Sequence, residues 1–182
     1  MQACFVAEDK YIYAIGGCKL NSPSTVAVPQ CSRFDTNENK FQDIANLQEA
    51  RQQSFGVAMS THEKIFVAGG KGVRNDLLKT CEVYNIDTDE WHFVASLNNP
   101  RPTGNVVLVD ESLYVVGNFQ MPLASSVWEE SWVESYDQRE NKWKVVDTLK
   151  FRFTDVGYVL LGDIKACSFR LFKGDLKRLT KC

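Results

Sequence analysis

The sequence has few of the residues that build metal and redox sites. It contains only two histidines, His62 and His92, and its six cysteines are scattered without a CxxC or CxxxC pair. A zinc site needs such ligands at close spacing. The GxSxG, HExxH and phosphate-binding Gly-rich motifs are missing as well. We therefore expect no bound metal, no cofactor and no catalytic centre, and we do not expect an enzyme.

An excess of positive charge and long apolar runs are lacking too. Lysine and arginine total 21 against 23 acidic residues, which gives a net charge of −2 and no general attraction to phosphate backbones or anionic lipid. No run of about 18 apolar residues is present to span a bilayer. Residues 1–10 lack the layout of a signal peptide. We expect no nucleic-acid partner, no membrane association and a cytoplasmic location.

The chain does contain a threefold internal repeat with a period of about 50 residues. An apolar run that ends in Gly16-Gly17 recurs before Gly69-Gly70 and again before Gly117-Asn118. A second marker is an aromatic residue followed seven positions later by another aromatic. These aromatic pairs are Phe34 with Phe41, Tyr84 with Trp91, and Tyr136 with Trp143. The agreement of the two markers predicts three copies of one structural unit.

Each unit is predicted to fold as four short antiparallel strands, which we name a to d. Apolar runs such as 65–68 and 113–116 are too short for buried helices and are rich in β-branched and aromatic residues. The segments between the paired aromatics are rich in Asp and Asn, which predicts hairpin turns. Four strands per unit without helical periodicity predict an all-β fold of propeller blades.

These features together resemble the Kelch repeat, and most of all the propellers of the BTB-Kelch (Kelch-like) proteins. The resemblance rests on the glycine pair after an apolar strand, the Tyr-Asp dipeptide, the following Trp and the period, and it covers residues 3–161. It implies a Kelch-type β-propeller with three blades and a partial fourth, an incomplete ring. The expected units are repeat 1 at about 3–50, repeat 2 at about 51–100, repeat 3 at about 101–151, a partial repeat at about 152–172 and a basic tail at 173–182.

The resemblance also implies a function. The propeller of Kelch-like proteins is a recognition surface, and several members present substrates to cullin-3 ubiquitin ligases through a BTB region that this chain does not contain. We expect a protein–protein recognition module of this substrate-adaptor class. The alternative is an actin-binding or cytoskeletal scaffold, because other Kelch propellers bind actin or organise filaments.

Three arginines occupy equivalent places in the repeats. Arg51, Arg101 and Arg152 fall in the loop between strand d of one blade and strand a of the next, and equivalent positions in a propeller lie around one rim of its channel. Guanidinium groups bind carboxylates bidentately. The resemblance implies these arginines as contacts for an acidic peptide motif of a partner. In the alternative, each arginine bonds loop carbonyls or pairs with an acidic neighbour such as Glu49 or Asp155.

The loops between strands b and c are the second candidate for partner binding, because they vary in length while the strands do not. The third of these loops carries more apolar and aromatic side chains than a solvated loop needs. Its candidate contact residues are Phe119, Met121, Trp128 and Trp132. In the alternative, Trp132 is packed into strand c and Trp128 shields the neighbouring blade.

The repeated aromatics and most cysteines are predicted to be structural. Trp91 and Trp143, with Phe41 at the equivalent place, are expected to pack between blades. Cys4, Cys31 and Cys81 are expected to be small buried hydrophobic residues, and Cys18 is the one cysteine considered for reactivity. Because the ring is incomplete, we also expect an uncovered blade face at one or both ends of the array.

Overall fold

The computed structural model describes residues 2–21, 24–59, 63–102, 104–109, 111–117, 129–151, 170–172 and 175–177, and these residues are built from β-strands and turns. Within these ranges no helix is long and apolar enough for a bilayer crossing. In chain order the strands are β1 (Cys4–Glu8), β2 (Tyr11–Ile15), β3 (Cys18–Asn21), β4 (Ser24–Ala27), β5 (Cys31–Asp35), β6 (Lys40–Ile44), β7 (Phe55–Met59), β8 (Lys64–Ala68), β9 (Cys81–Asn85), β10 (Glu90–Val94), β11 (Asn105–Val109), β12 (Ser112–Gly117), β13 (Glu129–Asp137), β14 (Lys142–Phe151), β15 (Arg170–Phe172) and β16 (Asp175–Lys177).

Three four-stranded antiparallel sheets form the body of the described chain. Blade 1 has the strand order β1-β2-β5-β6, blade 2 has β7-β8-β9-β10, and blade 3 has β11-β12-β13-β14. Two smaller ladders pair β3 with β4 and β15 with β16. This confirms the predicted all-β fold of four-stranded antiparallel blades, and the described strands do not close a ring. The partial repeat at 152–172 and the tail at 173–182 lie mostly outside the described residues and stay predictions.

The turn between strands c and d follows one design in all three blades. The last residue of strand c accepts, through its side-chain Oδ1, hydrogen bonds from the backbone N–H groups two and three positions later. A residue with left-handed backbone then closes the turn. The accepting residues are Asp35, Asn85 and Asp137, and the left-handed residues are Asn39, Asp89 and Asn141, with φ of 53°, 53° and 49°. Asn and Asp tolerate this conformation, so these turns follow from local sequence.

The glycine pairs let the end of strand b approach the loop that leaves strand d of the same blade. Gly16 and Gly69 both have φ of 61°, in the left-handed region. A Cβ at Gly69 would lie 2.6 Å from the carbonyl oxygen of Arg101, and one at Gly16 would lie 2.5 Å from that of Arg51. Only glycine can adopt this left-handed backbone conformation so close to a carbonyl oxygen, because it has no Cβ. The backbone N–H groups of Gly17 and Gly70 donate to the same two carbonyl oxygens, each at 2.8 Å.

The hydrophobic core consists of two layers, one between each pair of neighbouring blades. Trp91 and Trp143 are buried in these layers, and each indole Nε1 donates to a backbone carbonyl of the preceding blade, Ala45 and Ala95, at 2.9 Å. The predicted packing role of these tryptophans is confirmed. It is wrong for Phe41, which is 72% exposed because it lies on the side of blade 1 that faces away from blade 2.

The close approach at Gly69 predicts a large loss of stability on substitution. We expect Gly69→Ala to lower the free energy of unfolding by about 2–4 kcal/mol, because the new Cβ meets backbone in a left-handed conformation. Gly72→Ala is the matched control: the atoms nearest to its Cβ would be those of the carboxylate of the exposed Asp76, which can move. Urea unfolding of both variants measures the difference. Equal loss in the two variants would contradict this account of the glycine pair.

Candidate functional site

A buried ion pair joins blade 1 to blade 2. Arg51, in the loop between β6 and β7, is fully buried, and its Nη2 lies 2.7 Å from Oε1 of Glu82 on β9, which is also fully buried. Its Nη1 donates to the carbonyl oxygens of Gly69 at 3.0 Å and of Thr80 at 3.2 Å. Glu49 lies 3.5 Å from the same guanidinium. The side chain of Arg51 thus binds three residues of blade 2.

The same junction recurs between blades 2 and 3. Arg101 is 1% exposed, its Nη2 lies 2.6 Å from Oε1 of the buried Glu134, and its Nη1 donates to the carbonyl oxygen of Gly117. Glu134 also accepts from the backbone N–H of Asn98 at 2.9 Å. In the first junction, Glu82 accepts equivalently from the backbone N–H of Gln48 at 2.8 Å. Hydrogen bonds from the arginine and from the loop backbone offset part of the cost of burying each carboxylate.

These contacts show that Arg51 and Arg101 have the structural role that was the alternative to partner binding. A partner carboxylate cannot reach Arg51 or Arg101, because both guanidinium groups are buried against the following blade. They bond loop carbonyls and pair with acidic residues, and they do not line an open rim. Arg152 lies outside the described residues, so its contact with an acidic partner stays a prediction.

The acidic partners Glu82 and Glu134 were missed from sequence. A signal was present, because each glutamate stands two residues before the aromatic of strand c, Tyr84 and Tyr136. Blade 1 has Ser32 at that position, so the pattern holds in only two of the three repeats. The positions of the two glutamates next to the arginines depend on the packing of one blade on the next.

The loops between strands b and c leave the blades at the edge where the glycine pairs meet the arginine loops. In blade 1 this loop contains the hairpin of β3 and β4. In blade 2 the loop is a compact turn in which Lys71 bridges to both Gln52 and Leu77. Val73, at its tip, is 56% exposed, and the neighbouring Arg74 is exposed too. These loops therefore present different shapes and side chains from one edge of a common framework.

Only one of the four candidate residues in the third loop lies among the described residues. Trp132 is half-buried on β13, where it pairs with Gly117 on one side and Thr148 on the other. It is therefore part of strand c, as the alternative had it, and a role in partner binding stays a prediction. Phe119, Met121 and Trp128 lie outside the described residues.

The described residues contain no group of three or more His, Cys, Asp and Glu side chains arranged to hold a metal ion. His92 is exposed on β10, 3.5 Å from Glu90, and His62 lies outside the described ranges. A cleft of about 290 Å³ between blades 2 and 3 is lined in part by Lys64, His92 and Tyr136. The phenol of Tyr136 is already bonded to Asn141 at 2.7 Å.

Burial raises the pKa of three cysteine thiols. It raises the pKa of the Cys4 thiol to about 12, with the nearby Cys31 adding to the shift. Burial likewise raises the pKa of Cys31 to about 11 and that of Cys81 to about 12. The predicted role of these cysteines as small buried hydrophobic residues is confirmed, because all three lie in the core layers. Cys18 is half-exposed.

Comparison with known proteins agrees with the repeat. Residues 55–98, which span blade 2, match the family model of the Kelch motif. The chain is 32% identical over 112 residues to an F-box/kelch-repeat protein of Arabidopsis thaliana, with 62% of this chain and 29% of that protein covered.

Two animal proteins are similar over more of the chain. Identity is 26% over 160 residues to human Kelch-like protein 23, with 87% of this chain and 26% of that protein covered. It is 24% over 154 residues to Kelch-like protein 26 of Danio rerio, with 84% of this chain and 24% of that protein covered. The chain therefore spans less than a third of the length of each of these relatives.

The buried ion pair predicts that Arg51 is needed for stability. We expect Arg51→Ala to lower the free energy of unfolding by about 3–5 kcal/mol, because it leaves Glu82 buried without its cation. The control is Arg33→Ala. Arg33 is half-buried, donates to the side chain of Gln42 and lies over the ring of Tyr11, so its loss is expected to cost only about 1–2 kcal/mol. Chemical denaturation measures both, and a small effect of Arg51→Ala would contradict the structural role.

The burial of the thiols predicts an order of alkylation. Treatment of the folded chain with iodoacetamide at pH 8, followed by peptide mapping, is expected to modify Cys18 well before Cys4, Cys31 or Cys81. The raised pKa values leave almost no thiolate on the buried three at this pH. In denaturant the four rates are expected to become similar. Early labelling of a buried cysteine in the folded chain would refute the prediction.

Proposed function

We propose that this chain, whose repeats are Kelch repeats and form a protein–protein interaction module, recruits a substrate protein to a cullin-3 ubiquitin ligase in the cytoplasm. The similarity to Kelch-like proteins over most of the chain supports this assignment. The BTB region that contacts cullin-3 in that class would belong to another part of the complete protein. The substrate would bind directly to the blades described above.

The observation that carries the proposal is the contrast between constant blades and variable loops at one edge. Buried ion pairs hold each blade against the next, and the glycine pairs hold each arginine loop against its own blade. The loops that emerge beside them differ, with a β3–β4 hairpin in blade 1 and a compact turn in blade 2. A rigid framework that displays variable loops is suited to recognise a protein, because little ordering entropy is lost on binding.

We propose that the partner is acidic, but that residues other than Arg51 and Arg101 contact it. Arg51 and Arg101 are engaged within the framework, while Lys19 and Arg74 are exposed on the loops between strands b and c. Val73 adds an exposed apolar side chain next to Arg74. We propose these loop residues as contacts for an acidic segment of the substrate. Arg152, Phe119, Met121, Trp128 and Trp132 remain further candidates.

The loop of blade 2 offers a direct test of recognition. In quantitative affinity purification, we expect the double variant Val73→Asp, Arg74→Glu to retain about tenfold less partner protein than the unchanged chain. The variant replaces the apolar side chain of Val73 by a carboxylate and reverses the charge of Arg74. The matched control is Val146→Asp, Lys144→Glu, which changes an exposed valine and an exposed lysine of β14. Equal retention by the two variants would exclude the blade 2 loop from the binding site.

The ligase role has its own test. The chain is fused to the BTB region of a Kelch-like protein, and ubiquitination of the retained partner is measured in a reaction with cullin-3. Modification that requires an intact blade 2 loop is the expected result. Retention without ubiquitination would contradict the adaptor role and leave the interaction module in place. Co-sedimentation of the chain with filamentous actin would instead favour the scaffold alternative.

A further inference from the structure

The cleft between blades 2 and 3 lies at the edge of the blades opposite to the loops between strands b and c. It is bounded by Lys64, the first residue of β8, and by Asn85, the last residue of β9, whereas those loops join the other ends of these strands. All eight residues that line the cleft lie within the described ranges, and its volume is about 290 Å³. At the roughly 30 Å³ that one water molecule occupies in the liquid, this space holds a molecule of about ten non-hydrogen atoms.

The same place in the first junction, between blades 1 and 2, is filled by side chains. The strand registers give the corresponding positions as Tyr11 for Lys64, Arg33 for Val83 and Ile86 for Gln138. The Arg33 guanidinium lies 4.4 Å from the centre of the Tyr11 ring, and Tyr11 and Ile86 pack against the core layer of that junction. The cleft therefore corresponds to the space that a tyrosine ring and a guanidinium group occupy in the first junction.

The floor of the cleft is apolar and partly aromatic. Met59 is 4% exposed and Tyr136 is 8% exposed. Val83 and Val94 are half-buried and pack against the same core layer. The ring of Tyr136 is already paired with that of Phe66, with 6.5 Å between the ring centres. A further aromatic ring in the cleft would bury its surface against this floor and extend the aromatic cluster.

The mouth of the cleft carries a cation without an acidic partner. In the first junction Asp35, the last residue of β5, pairs with Lys10 at 3.1 Å. The corresponding residue of blade 2 is the neutral Asn85. Within the part of the chain that the structure describes, no carboxylate oxygen lies within 4 Å of Nζ of Lys64. The ammonium group of Lys64 can therefore bind the carboxylate of a ligand.

The acidic residues near this edge are outside the cleft and have other contacts. Glu90 lies 3.5 Å from Nε2 of His92. Glu63 and Asp87 lie in the two neighbouring turns, and a hydrogen bond between their side chains raises the pKa of the Glu63 carboxyl. None of these three carboxylates lines the cleft. The lining itself thus includes a lysine and a histidine but no acidic residue.

An aromatic floor with one cation at the mouth calls for a ligand that combines a ring with a negative charge. We propose that the cleft between blades 2 and 3 binds a small aromatic carboxylate, with its ring against Met59 and Tyr136 and its carboxylate on Lys64. The cleft and the loops proposed for substrate recognition lie at opposite edges of the blades. This site is therefore additional to protein recognition.

The proposal is tested on the full 182-residue chain by titration with 3-phenylpropionate, followed by NMR of methyl-labelled methionine. The chain has three methionines, and the signal of Met59 is identified by its loss in Met59→Leu. We expect a saturable shift of the Met59 signal, because the ligand ring would lie beside this methyl group, with no shift of the other two. The dissociation constant is expected to be on the order of 1 mM, as for a ligand of this size. The uncharged probe 3-phenylpropanamide is expected to bind about fivefold more weakly.

Two variants test the two parts of the site. Lys64→Met is expected to weaken binding of 3-phenylpropionate by about fivefold and to leave that of the amide unchanged. Its matched control is Lys144→Met, which changes an exposed lysine of β14 outside the cleft and is expected to bind both probes normally. The double variant Lys64→Tyr, Val83→Arg introduces the residues of the first junction and is expected to abolish binding by filling the cleft. Thermal melts show that the variants are folded.

Four results would overturn the proposal. They are a Met59 signal that does not shift, equal affinity for the carboxylate and the amide, unchanged affinity in Lys64→Met, and binding that persists in the filled double variant. Tighter binding of the peptide acetyl-Ser-Gly-Phe, which presents the same group at a chain end, would assign the cleft to a protein terminus instead of a small molecule. Retention of partner proteins by the filled double variant would leave the proposed function intact whatever the result for the cleft.

Discussion

The ion pair between the arginine of one blade and the glutamate of the next is the contact on which the rest of the structure depends. Each arginine loop is bonded through its backbone to the glycine pair of its own blade and through its side chain to the following blade. A buried pair of this kind tolerates little change in spacing, because an unpaired charge in the core is costly. It therefore disfavours any packing of one blade on the next that would separate the two charges.

This arrangement separates the framework from the surface that can bind. The arginines are used inside the junctions, while the hairpin of β3 and β4 and the turn around Val73 emerge at the same edge and remain free to differ. Blade 1 differs from the other two blades at this position. It has Ser32 in place of a glutamate, and Phe5, Ile12 and Phe41 of the same sheet are exposed.

The sequence was informative where a structure depends on neighbours along the chain. The hairpin turns closed by Asn39, Asp89 and Asn141, the glycine pairs and the buried tryptophans all follow from residue types at repeated positions. The role of the arginines could not be predicted from residue type and repeated position alone. Their repetition marked them as important, but repetition is equally expected of a binding rim and of a structural junction. Burial against Glu82 and Glu134 distinguishes the two.

The period, the strands and the turns were thus already specified by local sequence, because short-range propensity and the spacing of apolar residues set them. Which charges pair, and which aromatic side chains are covered, was decided only by the packing of whole blades. Phe41 and Trp91 occupy the same place in their repeats, yet one is exposed and the other buried. The difference lies in the presence of a neighbouring sheet, which contributes atoms about 50 residues away in the chain and leaves no mark on the local pattern.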